Sequence, residues 1–179
     1  SRRPQLNMPI ERMWAGWRNA YVTDTARVMK APEEHTLFEA ILDSGIPDDE
    51  TYIVSRGATC FTILNRYPYS SGHLLVLPQR GVADLDDLTA DEFTELWATV
   101  NTAVRVIKAV YSPDGVNLGL NLGKGAGAGV PDHLHVHVLP RWLGDTNFTV
   151  AIAETKVLAE ALDVTYERLC TAWPSPTED

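Results

Sequence analysis

Apolar and polar positions change period along this chain, and the changes divide it into elements. Between Thr89 and Tyr111, residues Phe93, Leu96, Trp97, Val100, Val104 and Ile107 recur with a helical period, which predicts a helix with one apolar face. Thr89 can cap its start, Asp91 and Glu92 complement the positive end of its dipole, and Pro113-Asp114-Gly115 stops it. A second helical pattern runs from Thr155 to Trp173 and a shorter one from Glu34 to Leu42. Ile10 to Val22 carries Trp14, Trp17 and Tyr21 at helical spacing and reads as a short amphipathic helix or docking arm. Strand patterns fill the middle: two short runs within Tyr52 to Leu64 split by Arg56-Gly57, then Leu74 to Leu77, Val116 to Leu122 and Leu134 to Leu139. In the fourth of these Asn117, Gly119 and Asn121 alternate with apolar residues, so one face is polar. Asp43 to Asp49 has turn composition and is the expected mobile surface loop, and Pro68 to Gly72 is a turn. This order of elements predicts an α+β fold with a mainly antiparallel β-sheet flanked by helices.

Composition bounds the rest. With 179 residues, 45% of them hydrophobic, the chain can bury a core, and its length fits one domain, 1–179, with an N-terminal arm to about residue 22 and a flexible tail at 174–179. The net charge of −9 argues against nucleic acid as a partner, because phosphate-backbone affinity needs clustered Lys and Arg; an anionic ligand must find a local positive pocket. Cys60 and Cys170 are far apart and in no CxxC spacing, which suggests neither a disulfide framework nor a cysteine zinc site and suits a reducing cytoplasm. No apolar run reaches membrane-spanning length, and Ser1-Arg2-Arg3-Pro4 lacks the apolar stretch of a secretion signal, so a cytoplasmic protein without membrane partners is expected.

The candidate chemistry lies in His133-Leu134-His135-Val136-His137-Val138, which holds three of the five histidines. Strict alternation on a strand puts the three imidazoles on one face and leaves an aliphatic face to bury. A solvated strand face explains so many histidines poorly. A zinc site is a serious alternative, since neutral imidazoles two apart suit that metal; Asp132 and Asp145 are near in sequence, but no ligand motif completes the set. The third reading is a nucleophile, because a neutral imidazole attacks near pH 7 while a neighbouring ring holds a proton. Upstream, Gly123-Lys124-Gly125-Ala126-Gly127-Ala128-Gly129 offers unobstructed backbone N–H groups and one lysine, as a phosphate cradle requires, although it lacks the GKS or GKT ending of a Walker loop and feeds a strand. Together the loop and the histidines point to phosphoryl or nucleotidyl transfer.

At this point the residues resemble a known family. His133 to Leu139 matches the HφHφHφφ signature of the histidine triad superfamily, φ being apolar. Asn65-Arg66-Tyr67-Pro68-Tyr69-Ser70-Ser71-Gly72-His73-Leu74 resembles its upstream asparagine and Gly-His segment, and Gly119-Leu120-Asn121-Leu122-Gly123 with the glycine loop resembles the bacterial branch. Pro140-Arg141-Trp142, Gly144-Asp145-Thr146-Asn147-Phe148 and the arm Glu11-Arg12-Met13-Trp14-Ala15-Gly16-Trp17-Arg18 are similar to the diadenosine tetraphosphate phosphorylase and hydrolase subgroup. Two departures stand out. Relatives carry a zinc-binding CxxC pair near Asp24 to Phe38 that this chain lacks, so no metal is carried over, and Gly129-Val130-Pro131 stands where other branches place a Ser, Thr or Gln.

The resemblance implies a phosphorylase that cleaves diadenosine tetraphosphate to ADP and ATP, with a hydrolase giving AMP and ATP as the alternative and a non-catalytic nucleotide-binding regulator as the reading from another class. It implies His135 as the nucleophile, His137 and the loop amides of Gly123, Gly127, Ala128 and Gly129 as stabilisers of charge, and His133 as an orienting ring. His73 is expected to support the site rather than to react. Asn65 is the expected ribose contact, Phe61 and Ile63 line the adenine pocket, Asn121 or backbone amides replace the missing α-phosphate contact, and Lys124 and Arg141 anchor phosphate. The partners implied are a dinucleoside polyphosphate, inorganic phosphate as co-substrate, and a second copy of the chain in a homodimer or higher homo-oligomer. No cofactor is obligatory; a divalent cation is expected only in company with the substrate. Trp14 and Trp17 pack on a partner subunit or stack on the distal nucleoside.

Overall fold

Alternation within the strands decides how this molecule layers. The computed structural model describes residues 35–145 and 159–175. Strands β1 (Ile53–Arg56), β2 (Cys60–Leu64) and β3 (Leu74–Pro78) form a meander, and β4 (Gly115–Leu120) and β5 (Val136–Arg141) complete a five-stranded sheet in the order β1-β2-β3-β5-β4. Every pairing is antiparallel, as the expected α+β class requires. All five residues of β2 and of β3 are buried, so both faces of the sheet are covered at its centre.

The two faces carry different cores. Leu64, Leu74, Val76, Leu134, Val136 and Val138 meet the long helix α3 (Ala90–Tyr111) and Leu169 of the C-terminal helix α4 (Leu162–Ala172). On the opposite face Ile53, Phe61, Ile63, Leu75 and Leu77 gather under Phe38 of α1 (Leu37–Leu42), with Ile41, Leu42 and Val130 at the margin. Each such side chain contributes about 2 kcal/mol when fully buried. The first core is the structural one, and the second leads to the histidines.

Helix α3 starts one residue after Thr89, whose side chain accepts from Glu92 N while the Glu92 carboxylate accepts from Thr89 N. Its buried row is Leu96, Val100, Ala103, Val106 and Ile107; Phe93 and Trp97, expected on the apolar face, are 47% and 37% exposed. The buried row runs at three- and four-residue spacing through Leu96, Val100, Ala103 and Ile107, and Phe93 and Trp97 lie at its margin.

Three further expectations shift. Helix α1 begins at Leu37, because Thr36 caps it. The predicted loop at 43–49 gives way at Asp48 to a single helical turn, α2 (Asp48–Thr51), which Arg56 pins by three bonds to the Asp48 carboxylate and one to Leu42 O. Helix α4 begins at Leu162, since Ala159 to Ala161 are not helical; the predicted stretch 155–158 lies outside the described residues. The expectations for Ile10 to Val22, for Thr146 to Phe148 and for the end of the tail, 176–179, lie outside the described residues. Among the described residues no helix is long and apolar enough to cross a membrane.

Candidate active site

The three histidines face the Phe38 side of the sheet, because Leu134, Val136 and Val138 between them are buried under α3. Only His137 lies within a regular strand. It sits between Leu75 of β3 and Gly119 of β4. The predicted strand at 134–139 is displaced to 136–141, and Pro78 is the reason: it has no N–H to donate to a ladder opposite residue 134. Leu134 N donates to Val82 O instead, at 2.6 Å, and the side chains of His133 and His135 take up the carbonyls that this leaves.

Those bonds fix where each ring carries its proton, since a carbonyl only accepts and a backbone N–H only donates. His135 Nδ1 lies 2.7 Å from His133 O and must donate to it. His133 Nε2 donates to Pro78 O at 2.8 Å, leaving Nδ1 to accept from the Thr36 hydroxyl at 2.6 Å. Tyr69 N donates to His73 Nδ1 at 3.1 Å, so the His73 proton is on Nε2 and goes to His137 Nδ1 at 2.9 Å. His137 therefore carries its own proton on Nε2. Burial lowers the pKa of His135, partly opposed by its bond to the His133 carbonyl, and burial likewise lowers that of His133. Both are neutral at pH 7. The result is a polarised pair with ring centroids 5.0 Å apart: His135 with a lone pair on Nε2, and His137 with a proton on Nε2.

Beside this pair lies an apolar wall. Phe38 stands 5.3 Å from the His133 ring and 5.5 Å from the His135 ring, over the cluster that contains Phe61 and Ile63. The two residues expected near a base are thus brought to the histidine side, joined by Phe38, Leu75, Leu77, Ile41 and Leu42, which sequence reasoning did not single out. Asn65 is 7% exposed; its Oδ1 accepts from Tyr67 N at 3.0 Å and its Nδ2 lies 3.4 Å from His73 Nδ1. Tyr69, also missed, stacks on His137 at 5.9 Å and 20°.

Asn121 leads into the glycine loop, which forms a turn of 3-10 helix at Lys124–Ala126. Gly123 and Gly127 adopt φ of 76° and 88°, a region that favours glycine, and Lys124 is exposed between them. Ala128 is half-buried, and Gly129 precedes Val130, which packs at the margin of the apolar cluster. The loop thus spans from β4, whose Gly119 lies opposite His137, to the residues before His133. Arg141 is held elsewhere: its guanidinium makes one bond of 3.0 Å to Asn117 Oδ1 and bonds of 2.6 and 2.8 Å to the Asp145 carboxylate, and that carboxylate raises its pKa further. Among the described residues no three His, Cys, Asp or Glu side chains converge as a cation site, and protein partners engage both nitrogens of His133 and of His73 and the Nδ1 atoms of His135 and His137.

Comparison with known proteins agrees with this geometry. A family model described as HIT domain matches residues 48–142. Over 167 residues the chain is 43% identical to a Mycobacterium tuberculosis protein named AP-4-A phosphorylase, covering 92% of this chain and 85% of the relative. A Schizosaccharomyces pombe protein named asymmetrical bis(5'-nucleosyl)-tetraphosphatase is 44% identical over 82 residues, 46% of this chain and 44% of that one. Among solved structures, a hypothetical histidine triad nucleotide-binding protein from Sulfolobus tokodaii superimposes with a TM-score of 0.61 at 28% identity, covering 75% of this chain and 89% of that one.

Proposed function

The chain belongs to the HIT domain family, and we propose that it is a nucleotidyl transferase that cleaves diadenosine tetraphosphate with inorganic phosphate, giving ADP and ATP. The observation that carries the chemistry is the neutral His135 ring, with its proton committed to the His133 carbonyl and its Nε2 lone pair available. Nε2 attacks the α-phosphorus, forming an N–P bond while the bridging bond to the β-phosphate oxygen breaks and ATP leaves. The positive charge on the adenylylated ring is met by the His133 carbonyl through Nδ1–H. The Nε2–H of His137 stabilises charge on the phosphate oxygens, and the loop amides of Gly123, Ala128 and Gly129 serve the same end, whereas the Gly127 N–H is already held by the Lys124 carbonyl at 3.0 Å. An oxygen of inorganic phosphate then displaces the imidazole from phosphorus, yielding ADP and free His135.

The remaining assignments belong to the same proposal. Adenine occupies the wall of Phe38, Phe61 and Ile63, and Asn65 meets the ribose. Lys124, exposed in the glycine loop, and Asn121 contact the polyphosphate; Arg141 reaches phosphate only by exchanging its Asp145 pairing, so Lys124 is the better anchor. A homodimer is supported by β4 lying at the sheet edge with Leu118 half-exposed and by Phe93 and Trp97 outward on α3. A reducing, cytoplasmic setting suits Cys60 and Cys170, both free.

A hydrolase is the second reading, favoured by the similarity to the named tetraphosphatase. Incubation with diadenosine tetraphosphate, with and without phosphate, separates the two: phosphate-dependent ADP plus ATP is the expected result. AMP plus ATP makes the protein a hydrolase, and no turnover overturns the transferase reading.

A further inference from the structure

A mechanism that depends on the His133 carbonyl raises the question of what holds His133. Its ring is fully buried and is gripped from two distant parts of the chain, by Thr36 at the start of α1 and by Pro78 O at the end of β3. Thr36 also caps α1, accepting from Glu39 N at 3.3 Å. A hydroxyl has lone pairs to accept with and one proton to give, so the cap leaves that proton for His133 Nδ1. Glu39 in turn accepts from Thr36 N and from Gly81 N, each at 2.7 Å. A Cβ at residue 81 would stand 2.6 Å from the Thr36 methyl, so the chain leaving β3 closes tightly over this group.

We propose that Thr36 is a positioning residue for the nucleophile: while capping α1, its hydroxyl holds the His133 ring, and so the carbonyl that orients His135. The inference rests on His135 as the nucleophile. It carries a consequence for substrate selection, since α1 also bears Phe38, which touches both imidazoles and walls the apolar cluster. A base that fills the pocket presses on the same short helix that aligns the attacking ring.

The test combines steady-state turnover of diadenosine tetraphosphate with 15N-edited NMR of histidine-labelled protein, which reports which ring nitrogen carries each proton. Thr36→Val is expected to lower kcat about tenfold or more, with a smaller change in KM, and to turn the single His135 signal pattern into a tautomeric mixture. Thr36→Ser keeps the hydroxyl and is expected to restore both readouts. Thr36→Asp keeps a strong cap but has no proton to give, so His133, with an acceptor at each ring nitrogen, takes up a second proton or loses one of its two bonds, and kcat falls; it serves also if the valine variant fails to fold. Thr89→Val removes the other capping hydroxyl and is expected to leave kcat and the histidine spectrum native. A folded Thr36→Val or Thr36→Asp protein with native tautomers and kcat within about twofold of the parent would overturn the proposal. Failure of the parent protein to turn over the dinucleotide would sink the phosphorylase reading alone, because the spectrum of the resting protein still decides the role of Thr36.

Discussion

Two helices in this molecule begin in the same way and serve different ends. Thr36 and Thr89 occupy the N-caps of α1 and α3 with the same backbone conformation, φ −70° and ψ 163°, and each exchanges paired bonds with a glutamate three residues on. What differs is the second partner. The Glu92 carboxylate binds the Arg80 guanidinium at 2.8 Å, and the Thr89 hydroxyl has no second partner among the described residues, so this box fastens a helix to the protein. The Glu39 carboxylate binds a backbone N–H instead, and Thr36 reaches His133. The same local motif is therefore structural where a cation completes it and functional where an imidazole does.

The strongest way to break the comparison removes what the α1 box serves. His135→Ala should lower turnover about ten-thousandfold, leaving nucleotide binding measurable by calorimetry; a variant that still turns over would take the nucleophile away from this ring. Next comes the guanidinium that the α3 box binds and the α1 box does not. The Arg80 guanidinium first, and then the Thr89 bonds, outweigh burial and hold the Glu92 pKa at about 2, below its ordinary 4.5. A depressed carboxylate stabilises the fold above its unfolded pKa, and that contribution is lost as pH falls from about 4.5 to about 2. Glu92→Gln should therefore cost about 2 kcal/mol at pH 7 and flatten the acid loss of stability over that window, read by denaturant unfolding at several pH values. Thr89→Val should cost about 1 kcal/mol without lowering turnover, which sharpens the contrast with Thr36. The smallest effect concerns a hydroxyl that no box satisfies: Thr62 Oγ1 is buried beneath α3 without a partner among the described residues, so Thr62→Val should stabilise the protein by up to about 1 kcal/mol in the same unfolding assay.

Strong periodicity made α3, the meander and the polar face of β4 legible, and the alternation of histidines with aliphatic residues named the reactive face. The same reasoning found the buried side of α3 in Leu96, Val100 and Ile107 but misjudged its margin, because Phe93 and Trp97 fit a helical stripe as well as the residues that pack do. It also placed the histidine strand two residues early, since the loss of pairing there comes from Pro78, a proline on the neighbouring strand. Phe38 and Tyr69 carried no local signal of what they touch, and Thr36 showed only the capping-box spacing to Glu39, nothing of its bond to His133. Each acts through a partner far along the chain, Thr36 and His133 being 97 residues apart.

By itself, then, the sequence determined the element types, the face on which the histidines lie and the glycine loop before them, because periodicity, propensity and the backbone freedom of glycine act over a few neighbouring residues. Only the tertiary structure decided the proton on each imidazole, the company of His133 and the wall over the nucleophile. A tautomer is set by whichever carbonyl or N–H the fold brings within about 3 Å, and no local pattern records that meeting.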